Sequence, residues 1–535
     1  MNESNTQVLI IGAGPVGLAL ASDLGWRGIT CTIVEQGDGT IDHPRANAEN
    51  ARTMEFFRRW GIADRVRTSG TPEDFTQSVV YATALNGYEV AHIDRPGHGG
   101  RGGSAISPER PQRCNQLFLD PILRDLARSF PSVTLRHSVE FESFVSAPAG
   151  VTAILHDLNA DKRESVHAPY LIDAGGGRSG IGKALGIELE GPPAIEYNLN
   201  IFVRIPNLWA NARVHQAAMY FFVEPAGIWR TLVDIDGDSL WRLGLRGKPY
   251  FDHPESVDVA AHLRALIGTD VSFEEISRRG WVARDLVADS YGSGRIFVAG
   301  DAAHQNTPSG GFGMNTGLGD AVDLGWKLAA MLDGWGGAHL LDTYETERRP
   351  IAQRNVRQAT DNFIRDRRRE IDPAIGEPGP DGEKARALLG ERLHATQSRQ
   401  YRTDGTALGY RYRSPIIIDD GTPLPVDTIE TYTPSARSGG RAPHAWLSEK
   451  ESTLDLFGRG FTLLNFDRDS SESARIASAF AGAGVPLRTH AIGNAEIAQL
   501  YEQKLVLVRP DGHVAWRGAK APDDIGAMVD RVRGI

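Results

Sequence analysis

Two short apolar runs in the sequence each precede a glycine-rich turn, and a helix-like pattern follows each turn. The first run, Val8–Ile11, leads into the turn at residues 12–17 and then to leucines at 18, 20 and 24. The second, Ile296–Val298, leads into Gly300-Asp301, a glycine-rich loop and a helical pattern that continues through Leu328. Strand, turn and helix in this order predict two βα units whose backbone N–H groups can approach a ligand closely.

The rest of the apolar pattern predicts further strands and helices. Alternating or continuous apolar runs bounded by Gly, Pro or Asp are typical of strands, and apolar residues three or four apart are typical of helices. The predicted strands are 30–34, 78–82, 88–93, 133–136, 139–146, 150–157, 199–203, 217–223, 229–233, 240–245, 461–466 and 504–508. The predicted helices include 51–60, 117–130 and 257–267.

The two turns carry chemistry that suits a dinucleotide. Residues 12–17 read G-x-G-x-x-G, and Glu35 ends the next predicted strand, where an acidic residue takes ribose hydroxyls. In the second unit, Asp301 can accept hydrogen bonds from a sugar or ribityl chain. The helix start after the second loop favours negative charge.

Composition and charge exclude several classes of function. The chain has 535 residues, too many for one hydrophobic core, and a formal net charge of −10 argues against nucleic-acid binding. Cys31 and Cys114 are far apart and predict neither a metal site nor a disulfide, which fits a reducing cytoplasm. No apolar run reaches transmembrane length, and the opening MNESNTQ lacks the positive region of a signal peptide.

Three longer stretches resemble a known family. They are HPRANAENARTMEFFRRWGI at 43–62, QLFLDPIL at 116–123 with Asp120 where Glu is usual, and GDAAHQNTPSGGFGMNTGLGDAVDLGWK at 300–327. Together they resemble the single-component flavin-dependent aromatic hydroxylases, typified by p-hydroxybenzoate and phenol hydroxylases. The resemblance implies non-covalent FAD in an extended form, NADPH or NADH as co-substrate, and hydroxylation of a small phenolic aromatic by O₂ through a hydroperoxyflavin.

The resemblance also implies a domain organisation. We expect an α/β fold in which a Rossmann-like FAD-binding domain (1–73, 104–190 and 283–370) is interleaved with a β-rich substrate domain (74–103 and 191–282). A linker or helical segment at 371–410 would precede a thioredoxin-like α/β domain at 411–535. That domain has no cysteine, so packing or association into a homodimer is its expected role.

The family motifs assign residues to the site. Catalytic roles are implied for Arg45, Asn47 and Pro308, although Asn47 could equally be a simple loop cap. Implied cofactor contacts are Gly12, Gly14, Pro15, Gly17, Glu35, Gln36, Arg45, Gln116, Asp301, Pro308, Gly311, Gly313, Met314 and Asn315.

For other side chains the functional interpretation competes with a plain one. Asn47, Tyr220, Trp229, Arg230 and Trp241 are candidate substrate residues, but such aromatics are more often core and Arg230 could be exposed. His304 is interpreted as structural, Arg52 as a solvated helix-end charge, and the run 365–369 (RDRRR) as a solvated helix face.

One stretch departs from the family pattern. Gly175 replaces the usual Asp and Gly182 a later Arg in a motif shared between flavin and nicotinamide binding. Either a bulged strand lets Asp173 substitute, or that contact is absent. Three rival functions remain: an FAD-dependent reductase or dehydrogenase on the same scaffold, a non-catalytic flavin-binding protein, and hydroxylation with loss of a ring substituent.

Overall fold

The computed structural model describes residues 2–95, 98–367, 370–467 and 471–535. Residues 368 and 369 of the basic run, and residues 96 and 97 of the predicted glycine-rich excursion, lie outside this range. The strands are β1 Asn2–Asn5, β2 Val8–Ile11, β3 Cys31–Glu35, β4 Val79–Ala82, β5 Glu89–Ile93, β6 Val133–His137, β7 Val139–Ala147, β8 Gly150–Asp157, β9 Lys162–Ala168, β10 Tyr170–Asp173, β11 Leu189–Glu190, β12 Glu196–Arg204, β13 Met219–Glu224, β14 Gly227–Asp234, β15 Leu240–Arg246, β16 Glu274–Ala283, β17 Leu286–Ala288, β18 Gly292–Ser293, β19 Ile296–Val298, β20 His304–Gln305, β21 Phe461–Asn465, β22 Leu487–Ala491, β23 Leu505–Val508 and β24 Val514–Gly518.

Helices connect and cover these strands. They are α1 Pro15–Arg27, α2 Ala51–Arg59, α3 Ala63–Arg67, α4 Gln116–Ser129, α5 Ile181–Ala184, α6 Lys248–Asp252, α7 Val259–Ile267, α8 Phe312–Leu332, α9 Thr343–Arg367, α10 Pro380–Tyr401, α11 Asp404–Leu408, α12 Ser471–Gly482, α13 Ala495–Tyr501 and α14 Ile525–Arg533. No helix within the described ranges is both long enough and apolar enough to cross a membrane.

A six-stranded sheet in the order β18-β19-β10-β2-β3-β6 carries both predicted βα units. All its pairs are parallel except β18 with β19, and β2 lies in the middle with every residue buried. Helices α1, α4 and α8 contribute to the core on one face, and the antiparallel strands β7 and β8 pack against the other. The strand ends therefore meet at one edge, where α/β sheets bind ligands.

A seven-stranded sheet, β16-β12-β15-β14-β13-β4-β5, forms the second layer system. One face packs against α7, and the residues of the other face near β4 and β5 pack against α10. The segment 371–410, predicted as a linker or helical segment, contains helix α10, whose Leu389 and Leu393 are buried against Tyr81 and Ile93.

The sequence patterns also missed β16 altogether. Its residues, EEISRRGWVA, are mostly charged or half-exposed, because β16 is an edge strand that pairs with β12 alone. An edge strand with one solvated side and a bulged register shows little of the apolar alternation that identifies strands.

The C-terminal part has its own four-stranded sheet, β22-β21-β23-β24, in which only β21 and β22 are parallel. Its core is continuous with α8, because Trp326 and Trp335 stack on one another and meet Phe461 edge-on. The fold is therefore α/β throughout, with the C-terminal sheet docked on the helix that follows the second glycine-rich loop.

Buried charges cross the same contact. Arg509, after β23, is fully buried and binds Glu347 of α9 through both Nη1 (2.6 Å) and Nη2 (2.8 Å) and Asp323 of α8 at 3.1 Å. Lys327 donates to Asp323 at 2.7 Å and to Glu347 at 2.8 Å. Asp511 also accepts from Arg509, at 2.7 Å. Two cations thus bind three carboxylates inside the protein.

Arg509→Met should strongly destabilise the protein, because it leaves these buried carboxylates without their main cation. Breaking a buried pair from one side typically costs about 3–5 kcal/mol. Arg475→Met is the matched control, since Arg475 forms an exposed pair with Glu472 at 3.0 Å and should cost at most about 1 kcal/mol. Urea midpoints of the two variants compare the effects, and equal midpoints would show that the network contributes no stability.

Candidate active site

The first glycine turn is built by close packing. Gly12 has φ +99°, and a Cβ there would lie 2.5 Å from the Ala174 carbonyl oxygen. A Cβ at Gly17 would lie 2.0 Å from the Gly12 oxygen, so α1 approaches β2 only because residue 17 is glycine. Gly14 has open space where a side chain would be, and Pro15 begins the helix. The three glycines thus supply a turn, an open approach and helix–strand packing.

Glu35 ends β3 beside this turn. One carboxylate oxygen accepts from the backbone N of Ala13 and the other from that of Gly37, both at 2.9 Å. A carboxylate has about four acceptor positions, so capacity for ribose hydroxyls remains. Gln36, the next residue, is exposed.

A cleft of about 180 Å³ extends from Gly14 and Glu35 along the loop that reaches Arg45, and Gln116 of α4 also lines it. Arg45 and Arg124 both face it, and neither guanidinium has a hydrogen-bond or ion-pair partner among the residues described. Unpaired cations beside a glycine turn and a helix start suit a diphosphate. The residues present therefore fit the dinucleotide predicted from the sequence.

Asp120, which stands where the family usually has Glu, lies in the same cleft. Burial raises its pKa to about 7, while Gln116 Nε2, which donates to Oδ2 at 2.9 Å, opposes the shift together with Arg45 and Arg124. Its other oxygen, Oδ1, has no partner among the described residues. A buried carboxylate oxygen without a donor is well placed to accept a ligand hydroxyl.

The second glycine turn places Asp301 within the electrostatic field of Arg45. Gly300 has φ +61° and packs against Val16 of α1. The Asp301 side chain is exposed to solvent. The surrounding protein atoms nevertheless desolvate its carboxyl group and raise its pKa above the ordinary value, while the charges of His304 and Arg45 oppose the shift. The charge of Arg45 thus acts on both Asp301 and Asp120. Arg45 therefore connects the two predicted halves of the cofactor site.

A buried carboxylate on α8 holds this turn in place. Asp320 Oδ2 accepts from the backbone N of Gly300 at 3.1 Å and hydrogen-bonds His304 Nε2 at 2.8 Å. Its Oδ1 accepts from Arg348 Nε at 2.8 Å. Burial acts to raise the pKa of Asp320, but the charges of Arg348 and His304 hold it below the ordinary value. His304 is fully buried, in keeping with its predicted structural role.

The loop before α8 ends in two left-handed glycines, Gly310 (φ +86°) and Gly311 (φ +67°). Pro308 is exposed, and its carbonyl accepts from Gly311 N at 3.2 Å. Gly313 and Met314 lie in the first turn of α8, where backbone N–H groups lack helical acceptors. Several buried side-chain atoms have no hydrogen-bond partner among the described residues. In this loop they are Asn306 Nδ2, Asn306 Oδ1 and Thr307 Oγ1, and in the earlier segment Asn47 Nδ2.

The side chain of Asn315, a predicted cofactor contact, is engaged within the protein. Its Oδ1 accepts from Asn50 N (2.9 Å) and Thr53 Oγ1 (2.6 Å), and its Nδ2 donates to the carbonyls of Ala48 (2.8 Å) and Gly311 (2.6 Å). Both polar atoms are engaged, so the side chain connects residues 48–53 to α8.

The predicted substrate residues on the seven-stranded sheet need correction. Arg242 of β15 faces the cleft side, because its Nη1 donates to the Arg45 carbonyl at 3.1 Å. Trp241 precedes it and points to the opposite face, where it is fully buried. Tyr220 pairs with Leu232, which pairs with Leu243, so it shares that opposite face and is also fully buried.

The other two candidates belong to the same far side. Trp229 stacks on Tyr250 at 5.8 Å and meets His262 of α7 edge-on. Arg230 lies over the Trp229 ring and pairs with Glu224. All four residues therefore belong to the core or cover it. The sequence could not show this, because alternation along a strand does not reveal which of its two faces lines the site until the neighbouring strands are known.

Other interpretations are settled by contacts. Strand β10 pairs regularly with β2 and β19 as far as Asp173, so the hypothesis of a bulged strand at this residue is wrong. Asp173 is buried and its Oδ1 accepts from Gly175 N at 3.0 Å, which makes it a strand-end cap. Arg52 is also not solvated: it is buried, binding Glu55 at 2.9 Å and the Asp511 carbonyl at 2.7 Å.

Several residues of the site were not found by sequence reasoning. Arg124 lies two turns after Gln116 on α4, a helical spacing that could have placed it on the same face. Asp320 lies within the third family-like stretch and Arg348 lies outside it. Both make only internal contacts, so no pattern of the sequence alone distinguished them from surface charges.

Comparison with known proteins decides the family. The FAD binding domain family matches residues 5–359, and the aromatic-ring hydroxylase C-terminal family matches residues 435–534. The chain belongs to the FAD-dependent aromatic hydroxylases. It is an FAD-dependent aromatic monooxygenase, as the sequence motifs predicted.

Individual relatives cover almost the whole chain. The solved structure of RebC, soaked with chromopyrrolic acid and with bound 7-carboxy-K252c, is 40% identical and covers 99% of each chain with a TM-score of 0.93. The flavin-dependent monooxygenase PieE, in complex with FAD and substrate, is 30% identical with a TM-score of 0.89 over 100% of each chain. The 4-methyl-5-nitrocatechol 5-monooxygenase of Burkholderia sp is 32% identical over 99% of this chain and 97% of that protein.

Asp301→Ala should weaken FAD retention, because hydrogen bonds to a charged acceptor are worth about 1.5–3 kcal/mol, or about 10- to 100-fold in the dissociation constant. Asp523→Ala, an exposed aspartate of the C-terminal part, is the control. Flavin fluorescence during dilution of the holoprotein measures the constant. Unchanged FAD affinity in Asp301→Ala would refute the assignment of this turn to the cofactor.

Proposed function

We propose that this monooxygenase hydroxylates a phenolic aromatic compound that carries an anionic group, using NADPH or NADH and O₂. Bound FAD supplies the redox chemistry, accepting reducing equivalents from the nicotinamide and activating O₂. The chain's residues hold the cofactor, orient the aromatic ring and exclude water. The observation that carries the substrate class is a group of arginines on the cleft side of the seven-stranded sheet.

Three guanidiniums make up this arginine group: Arg95, Arg113 and Arg242. Burial, together with the charge of Arg113, lowers the pKa of Arg95 and of Arg242 to about 10. Burial likewise lowers the pKa of Arg113. The buried Nε atoms of Arg95 and Arg113 have no partner among the described residues. Desolvated cations with unused donors favour an anionic ligand.

The nearest carboxyl groups compensate this charge poorly. Burial raises the pKa of Glu49 to about 8 and that of Asp234 to about 7, so both carry less negative charge near neutral pH than ordinary carboxylates. Arg113 Nη2 donates to the backbone oxygen of Asp234 at 3.0 Å rather than to its carboxylate. The arginine group therefore retains net positive charge.

The arginine group lies beside the predicted flavin contacts. The segment 45–49 passes between them: the Arg45 carbonyl accepts from Arg242, the Ala46 carbonyl accepts from Gln116 N at 2.8 Å, and Glu49 pairs with Gln112, next to Arg113. Asn47 sits in this segment, so we propose that its unpaired Nδ2 donates to the substrate. Arg45 and Pro308 complete the proposed catalytic set.

The names of two relatives support an anionic aromatic substrate. The molecule bound to RebC is a carboxy compound by its name, and the Burkholderia relative is named for a nitrocatechol. The nitrocatechol in the name of the Burkholderia relative also fits the alternative in which a substituted ring position is hydroxylated and the substituent is lost.

Further parts of the proposal concern the setting of the enzyme. Both cysteines are free and buried, which supports a reducing, cytoplasmic location. The C-terminal sheet, with its one parallel and two antiparallel pairs, supports a cysteine-free thioredoxin-like domain. We propose a homodimer, to be checked by light scattering. Because Asp173 caps its own strand end, we propose that no carboxylate of this motif contacts the nicotinamide.

A panel of phenols, each with and without a carboxylate, tests the function through NAD(P)H consumption and product mass under ¹⁸O₂. One labelled oxygen atom should enter the product. Arg242→Gln should raise the KM of the carboxylated member about 10- to 100-fold, because a hydrogen bond to a charged group is lost, and should change that of the neutral member little.

Arg204→Gln is the matched control, since Arg204 lies on the same sheet but forms an exposed pair with Glu274 at 3.2 Å. Product without label would contradict monooxygenation. An equal effect of Arg242→Gln on charged and neutral members would contradict recognition of an anion while leaving hydroxylation intact.

A further inference from the structure

A cluster of two histidines and a carboxylate lies at the far edge of the seven-stranded sheet. Glu89 and His92 belong to the edge strand β5, and His215 precedes β13. The ligand atoms of the three side chains all lie within 4.8 Å of one another. We propose that this cluster binds a transition-metal ion, Zn²⁺ by preference.

A β-bulge brings the cluster together. In a regular strand, residues 89 and 92 would point to opposite faces. Here the pairing of β5 with β4 shifts register, so that His92 pairs with Val80 but Glu89 pairs with Ala82. Since Val80 and Ala82 share a face, Glu89 and His92 do too. Bulges commonly re-aim a side chain in this way.

The third ligand is fixed through its backbone. The His215 carbonyl accepts from the Tyr220 hydroxyl at 2.8 Å, and the His215 N donates to Glu89 Oε2 at 2.9 Å. The His215 ring lies with Nδ1 2.9 Å from Glu89 Oε2, and its centroid is 4.7 Å from that of His92. Small side-chain rotations therefore suffice to direct two imidazoles and a carboxylate at one ion.

The donor set decides the class of metal. Imidazole nitrogens with one carboxylate suit Zn²⁺, Co²⁺, Ni²⁺ or Cu²⁺, whereas Mg²⁺ and Ca²⁺ prefer oxygen ligands only. The exposed Asp94 carboxylate, 3.3 Å from His92 Nε2, adds negative charge beside the cluster. The His215 side chain is 69% exposed, so an ion can enter from solvent and keep a water ligand.

The cluster is separate from the cofactor cleft. His92 pairs with Val80, and Val80 pairs with Tyr220 on the face that packs against α7. Arg242, which binds the Arg45 carbonyl, points to the other face. The bound ion would join an edge strand, which has one unpaired side, to the segment before β13 and so stabilise the sheet edge.

Calorimetric titration of tag-free holoenzyme with ZnCl₂ tests the site. We expect one Zn²⁺ per chain at this site, with affinity reduced at least about 100-fold in His92→Ala and in His215→Ala, since loss of outer contacts alone costs 10- to 100-fold. His339→Ala is the matched control, because His339 forms an exposed pair with Asp342 at 3.1 Å outside the cluster. FAD content of each variant verifies folding.

Thermal unfolding supplies a second readout. Zn²⁺ should raise the melting temperature of the wild type and of His339→Ala, but not of His215→Ala, because a ligand stabilises only the state that binds it. The exposed His215 keeps the test available if His92→Ala does not fold. Absence of Zn²⁺ binding, binding that survives both cluster variants, or equal loss in His339→Ala overturns the proposal.

Discussion

The cofactor region depends on one buried carboxylate, that of Asp320. It receives the backbone N–H of Gly300, the imidazole of His304 and the guanidinium of Arg348. An unpaired carboxylate would be costly at this depth, so the three donors must stay in place for the charge to be tolerated. The Gly300-Asp301 turn is consequently held by α8, and the exposed Asp301 side chain does not have to hold the loop itself.

The same charge connects the cofactor region to the C-terminal part of the chain. Arg348, besides binding Asp320, donates to the Tyr412 hydroxyl at 3.0 Å and to the Thr316 carbonyl at 2.8 Å. The Tyr412 ring lies under Arg509, which in turn neutralises Asp323 and Glu347. Every predicted flavin contact precedes residue 317. The buried carboxylates of α8 and α9, however, are paired with Arg509, close to the end of the chain. The C-terminal sheet is thus part of the folded environment of the cofactor site.

How far the sequence predicts this structure follows from how local each feature is. The strand–turn–helix units at Gly12 and Gly300 were predictable because glycine spacing and apolar runs are local signals, and the family motifs added FAD. The face occupied by Tyr220 was not predictable, because it depends on the pairing of β13 with β14 and of β14 with β15. Strand β16 was missed for a related reason: its charged residues are explained only by its place at a sheet edge.

A bulged strand was one of two alternatives for Asp173, and a bulge is found instead at Glu89. Both cases show that glycine in the sequence does not locate a bulge. After Asp173 the glycines serve a turn and a close approach, since Gly176 has φ +79° and a Cβ at Gly177 would lie 2.7 Å from Gln305 Nε2, and the strand stays regular. In β5, Glu89 is re-aimed although no glycine lies within the strand, because the register slips against β4. Glycine in a sequence therefore marks a place where the backbone must come close or turn, whereas register is set by the partner strand. For that reason the cofactor turns could be predicted from the sequence. The arginine group and the histidine cluster could be found only once the pairing of the strands in the sheet was known.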